Sequence, residues 1–233
     1  MSKFKDLKLD FNEKSLLENF KKLRSCYDLN NNIKNLNKCN LIFISLDVIT
    51  DKNNIADYSE IKKYINLLNK KLKKKIPFII QSQLQPGFCN NLKLRNRDLY
   101  YQVETLIFGK AFYRAYKPDR IIIGCGSGKK FNNFYAKYLS SFKCPILKMN
   151  YYSAELSKIA INIFLSSSVT VANTLARLSE RIGSNYKDIE SALRSDDRIG
   201  FKSYLSAGLG ISGGNLERDL SSLKKVLNKN NIN

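Results

Sequence analysis

The sequence contains no histidine. That absence removes Ser–His and Cys–His nucleophilic pairs and the commonest metal ligand together, so any proton chemistry falls to Lys, Asp, Glu, Cys or Tyr. There is also no run of 18 or more apolar residues of the kind a membrane span needs. The start, MSKFKDLKLDFNEK, has neither the apolar core of a signal peptide nor the acid-poor character of a transit peptide. These features place the chain in the cytoplasm with no membrane partner. Cysteine is sparse: Cys26, Cys39, Cys89, Cys125 and Cys144 are odd in number and show no CxxC spacing. They read as free thiols, with neither a disulfide framework nor a metal site.

What the sequence does have is a sizeable core and a large charge. Its 233 residues and 43% hydrophobic content suffice for one large domain or two small ones. The net charge of +20 raises nucleic acid or an acidic surface as partners. The lysines are spread widely, however, among asparagines and isoleucines. In the densest run, KKYINLLNKKLKKK, Ile65, Leu68 and Leu72 keep helical spacing with the lysines mainly outside. A solvated helix face is favoured there over a polyanion site.

Short apolar runs at residues 40–46, 77–81, 99–104, 120–124 and 145–149 alternate with helix-like or polar segments, which is the α/β signature with buried parallel strands. From residue 153 to 182 there is neither Gly nor Pro, and Leu156, Ile159, Ile163, Phe164, Val171, Leu175, Leu178 and Ile182 recur at helical spacing. This predicts one long, mostly buried helix. NYKDIESALRS and LERDLSSLKKVL predict two shorter ones. The expected division is 1–149 as an incomplete Rossmann-like parallel sheet, 150–227 as a helical domain and 228–233 as a tail. IIIGCGSGKK runs from a strand into glycines and lysines, but its spacing satisfies neither a P-loop nor GxGxxG.

Two features invite a chemical reading. AGLGISGGNLERD places four glycines before a helix start, where bare backbone N–H groups favour anions; a flexible turn explains it equally well. Lys158 and Asn162 are four apart on the long helix, so their side chains leave one face toward the same point. By themselves they read as a polar stripe on a core helix.

Together, SAELSKIAINIFL, YKPDRIIIG, DDRIG and AGLGISGGNLERD stand in the order and approximate spacing of the UDP-glucose/GDP-mannose dehydrogenase family. The chain resembles that family from about residue 7 to residue 227, loosely over the first hundred residues. Those enzymes oxidise a sugar hydroxymethyl of a nucleotide sugar by two hydride transfers to NAD. The resemblance implies that Lys158 stabilises negative charge on the reacting oxygen with Asn162 as its partner, that Asp219 orients a water, and that Glu104 joins the site. It further implies Arg198 near the sugar, the backbone at Gly210, Gly213 and Gly214 for close substrate approach, and Ser82 and Gln83 on the cofactor side. NAD and a nucleotide sugar are the implied ligands. A homodimer through the 153–182 helix is expected on separate grounds, because that helix is more apolar around its circumference than one covering one side of a small sheet should be.

This sequence also departs from the pattern. The family's thiohemiacetal-forming cysteine is replaced by Asn215, with none of the five cysteines within 60 residues. The active-site threonine is Gln83 in SQLQPGF, the Thr-Pro of the cofactor loop is Val48-Ile49, and the Asn-Pro before the glutamate is Gln102-Val103. No GxGxxG strand–helix unit precedes residue 40, and no second nucleotide-binding domain follows residue 227. The expectation is an internal or shortened member that oxidises a UDP- or GDP-sugar hydroxyl without the covalent step, inactive alone. The alternatives are a non-catalytic dimerising member and a basic nucleic-acid-binding protein.

Overall fold

The computed structural model describes residues 14–28, 30–52, 55–107, 109–208, 210 and 214–232. They form two compact units, Met1–Asp47 with Tyr58–Glu155, and Val48–Asp57 with Leu156–Asn233.

The first unit is built on a five-stranded sheet: β1 Ile42–Ile44, β2 Phe78–Ile80, β3 Leu99–Gln102, β4 Ile121–Gly124 and β5 Ile146–Met149. All five strands fall on the predicted apolar runs. Their order in the sheet is their order in the chain. β1–β2, β2–β3 and β4–β5 pair parallel, whereas β3 and β4 pair antiparallel, Tyr101 facing Gly124 and Gln102 facing Ile123. The expected parallel sheet is therefore corrected at one pair. Among the described residues the β3–β4 connection holds only the six-residue helix α3, Ala111–Tyr116, in place of a crossover helix long enough to return the chain to the far edge.

β2, β3 and β4 are buried on both faces, which is why they read as continuous apolar runs without alternation. Ile79, Tyr100, Ile121 and Ile123 form one core cluster with Tyr135 and Leu139 of α4, Asn133–Ser140. The Tyr135 hydroxyl, buried there, donates to Gln102 Oε1 at 2.9 Å. That bond accounts for a buried amide at the end of β3. Helix α1 is Lys14–Lys22; helix α2, Ser59–Lys71, buries Ile61, Ile65 and Asn69 and leaves its lysines exposed, the predicted solvated face. After β4, the glycines of IIIGCGSGKK lead into a turn, and α4 starts only at Asn133 under an Asn132 side-chain cap, so no phosphate-cradling loop forms there.

The predicted long helix is α5, Tyr151–Ile182, but it is not mostly buried, since Leu156, Phe164, Val171, Leu178 and Ile182 are exposed among the described residues; α6, Tyr186–Ser195, and α7, Gly214–Lys229, follow it. α5 begins in the first unit and continues through the second. Its first turn meets β4 so closely that a Cβ on Gly124 would stand 2.8 Å from Ala154 Cβ and 3.2 Å from Tyr151 Cα. Only glycine fits there. By length and composition α5 would suffice to cross a membrane. Its central hydroxyls turn onto its own backbone: Ser166, Ser168, Thr170, Thr174 and Ser179 each donate to the carbonyl four residues earlier. An otherwise apolar helix thereby carries hydroxyls that need no outside partner.

Candidate active site

Three polar side chains line the carboxyl ends of β1, β2 and β3. The Ser45 hydroxyl donates to Gln81 Oε1 at 2.8 Å, and Gln81 Nε2 donates to Glu104 Oε1 at 3.1 Å. Ser45 and Gln81 follow their strands directly and Glu104 lies two residues past β3, so the row sits where open α/β sheets bind ligands. Sequence reasoning found Glu104 but missed Ser45 and Gln81; polar residues one position past successive strands were the available signal. Ser82 is buried with its hydroxyl turned to the Ile44 carbonyl at 3.5 Å, while Gln83 is half-buried.

In the second unit, Lys158 and Asn162 stand one helical turn apart on α5, both half-buried. Asn162 Nδ2 donates to Asp219 Oδ2 of α7, and Asp219 is buried. The amide expected beside Lys158 is thus committed to the carboxylate expected to orient water. One residue earlier, Arg218 is buried and its Nη1 donates to the Val48 carbonyl at 2.8 Å, tying segment Val48–Asp57 to α7. That segment folds on itself through the Thr50–Ala56 bridge, with Asp57 N–H on the Ile49 carbonyl at 2.8 Å.

The glycine stretch is anchored at its start, where Gly208 N–H donates to Asn173 Oδ1 of α5 at 2.8 Å. Gly210 has φ +97, a left-handed conformation that disfavours a side chain. Gly213 lies outside the described residues; Gly214 and Asn215 open α7. The approach to the stretch is held by Arg194, which sequence reasoning missed. Its guanidinium bonds Glu190 Oε1 at 2.6 Å, the Phe201 carbonyl at 2.8 Å and the Ser203 carbonyl at 3.2 Å. Arg198, expected near a sugar, folds back onto Asp196 at 2.6 Å and is exposed. That guanidinium holds the Asp196 carboxyl below its ordinary value. The structure thus joins Asn162 to Asp219 on a face shared with Lys158; Glu104, Ser82 and Gln83 belong to the first unit.

Residues 152–233 match the model of the UDP-glucose/GDP-mannose dehydrogenase family, central domain. The UDP-glucose 6-dehydrogenase of Rickettsia prowazekii (strain Madrid E) is 28% identical over 200 residues, 82% of this chain and 46% of that protein. UDP-glucose 6-dehydrogenase 5 of Oryza sativa subsp. japonica is 30% identical over 167 residues, 69% of this chain and 34% of that protein. This chain belongs to the UDP-glucose/GDP-mannose dehydrogenase family. It spans about half the length of the Rickettsia relatives it matches. A UDP-glucose dehydrogenase from Pyrobaculum islandicum shares the fold with a TM-score of 0.80 at 22% identity, over 96% of this chain and 55% of that one. A UDP-D-ManNAc dehydrogenase from Pyrococcus horikoshii does so with a TM-score of 0.77 at 19% identity, over 99% of this chain and 64% of that one. The sheet is thereby Rossmann-like.

Within this family a thiolate is the expected nucleophile, and the five free cysteines are all in the first unit. Burial, and then the neighbouring Glu155 carboxylate, push the Cys89 thiol well up; burial also raises Cys125. Neither is poised as a thiolate. Glu155 itself is fully buried and accepts the Gly87 N–H at 2.6 Å and the Cys89 N–H at 2.8 Å, clasping the loop after β2. Burial raises its carboxyl, and these N–H bonds hold it partway back.

The polar row at Ser45, Gln81 and Glu104 fits the sugar and amide portions of a nicotinamide dinucleotide, having donors and acceptors at the crevice edge. A pyrophosphate grip of the Rossmann kind needs a glycine turn between strand and helix. Gly208, Gly210 and Gly213 do have GxGxxG spacing and precede α7, but no strand leads into them among the described residues.

Proposed function

We propose that this chain carries the reacting-sugar site of an NAD-dependent nucleotide-sugar dehydrogenase acting on a hydroxyl of a UDP- or GDP-sugar, without a covalent thiohemiacetal. The observation that supports it most is the Asn162–Asp219 bond, formed across α5 and α7 one turn from Lys158. NAD, when bound, supplies the hydride acceptor. Lys158 offers a cationic donor to the oxygen that becomes negative, a contribution of about 3 kcal/mol for a well-placed donor. Asn162 fixes the orientation of Asp219, and its second amide hydrogen can serve the same oxygen. Asp219 takes up the hydroxyl proton directly or through a water. Asn215 is neither ionisable near neutral pH nor a useful nucleophile, so it contributes a hydrogen bond to the sugar and sets specificity.

Without a thiolate to capture the carbonyl product, the reaction stops after one hydride transfer. The test titrates UDP-glucose and GDP-mannose into the chain by calorimetry, then joins the chain to the dinucleotide-binding segments of a relative and counts NADH formed per sugar nucleotide consumed. One NADH with a trappable carbonyl is expected. A ratio near two refutes the single-step reading, and binding without NADH assigns the site to recognition alone.

A dimerising role is supported by a separate observation. Phe164, Val171 and Leu178 recur every seven residues on α5 with Ile182 four further on, and all are exposed, Phe164 at 76% and Ile182 at 68%. A heptad-spaced apolar seam is what two packed helices share. A homodimer through the 153–182 helix is proposed on that ground.

A further inference from the structure

A cavity of about 850 Å³ lies in the first unit, lined by segments that precede β1 and β2, whereas Ser45 and Gln81 follow those strands. Its walls come from the segments that lead into β1 and β2, and since those strands run parallel, both walls stand at their amino ends. Lys34, Lys71, Lys73 and Lys74 line it with the carboxamides of Asn32 and Asn37, and no acidic residue lines it among the described residues.

The walls are held in place by their own bonds. Asn37 Oδ1 accepts the N–H of Lys73 at 3.0 Å and of Lys74 at 3.4 Å, while Asn37 Nδ2 donates to the Lys34 carbonyl at 3.2 Å. One side chain therefore fixes the backbone on both sides. Asn32 Oδ1 accepts the Lys34 N–H at 3.0 Å and caps the 3₁₀ turn Ile33–Lys38. Behind the Lys73–Lys74 turn, Arg97 is 8% exposed and donates from Nη1 to the carbonyls of Lys74 at 2.9 Å and Ile76 at 2.8 Å. Its guanidinium lies 4.6 Å from the Phe78 ring centroid, its Nε has no hydrogen-bond partner, and no carboxylate pairs with it among the described residues. A buried cation that donates to carbonyls thus backs four lysines with no acidic residue in the lining among the described residues, a field that selects an anion.

We infer that this cavity binds a linear di- or triphosphate. Lysines hold phosphate as point charges, and four of them match the charge of such a chain. The volume is that of a small-molecule pocket. Its lining includes no aromatic ring, so it lacks the stacking platform that a single-stranded nucleic acid uses. The site requires nothing of the proposed catalytic residues and stands or falls apart from them. A nucleotide and an inorganic polyphosphate would present the same group.

The experiment titrates the whole chain by calorimetry with inorganic tripolyphosphate, with ATP, and with a short single-stranded oligonucleotide. Tripolyphosphate is expected to bind one per chain. The triple substitution Lys71→Gln, Lys73→Gln and Lys74→Gln is expected to weaken it more than about tenfold, through the phosphate contacts it removes. Lys110→Gln, Lys130→Gln and Lys137→Gln make the same change of charge on exposed lysines elsewhere, and should leave binding within about twofold. Tighter binding of ATP assigns the site to nucleotides, and equal binding to the bare phosphate chain. Equal losses in the two triple variants overturn the site in favour of bulk attraction, as does an absence of binding. Tighter binding of the oligonucleotide, displacing tripolyphosphate, replaces it with a nucleic-acid surface.

Discussion

Asn162 shows what residue spacing can reveal and where it stops. Its placement one turn from Lys158 follows from the helical repeat and was visible in the sequence. Its bond to Asp219 joins residues 57 apart in the chain and depends on how α7 returns to α5, which no local pattern encodes. Asn162→Ala should destabilise the chain by about 1.5–3 kcal/mol, because a buried carboxylate loses a donor. Urea unfolding of Asn162→Ala, Asp219→Ala and the double variant measures it: strict additivity would show that the pair is not coupled. Glu155 was passed over for a related reason. An acid in an amphipathic helix looks solvated until a loop is seen wrapped around it. Because its carboxyl is raised in the fold, the protonated form is favoured there, and its stabilising contribution is complete only below the unfolded value of about 4.3. It is lost as pH rises through the folded value. Wild-type stability should therefore fall relative to Glu155→Gln between about pH 4 and neutrality. A pH-independent gap between their urea midpoints would contradict this.

At the scale of elements, all five strands and the three helices after residue 150 were legible, because burial on both faces leaves apolar runs and a long helix leaves a 3.6-residue repeat. Strand direction was not. The turn of β4 against β3 depends on a connection whose only helix among the described residues is α3, and composition does not distinguish a return from a crossover. Arg218 was equally hidden: within LERDL it reads as a surface charge, yet it is buried on the Val48 carbonyl. The β4–α5 junction gives a sharper test. Gly124→Ala places a methyl 3.2 Å from the Tyr151 main chain, which cannot yield as a side-chain tip would. A loss of about 1–3 kcal/mol in urea unfolding is expected. An unchanged midpoint would mean that the junction has slack.

For the molecule as a whole, the heptad seam on α5 predicts light scattering at twice the 26.8 kDa of one chain at micromolar concentration. Phe164→Lys should return it to one chain length, since a charge in the seam is costly to desolvate. The net charge of +20 does not forbid pairing, because screening at physiological salt acts within about 8 Å. The hydroxyl ladder inside α5 bears on how such pairing would register in a calorimeter. With Ser168 and Thr174 already donating to Phe164 and Thr170, two helices can close over them without stripping water from an unmet donor. Association would then be governed by apolar dehydration, registered as a marked negative heat-capacity change.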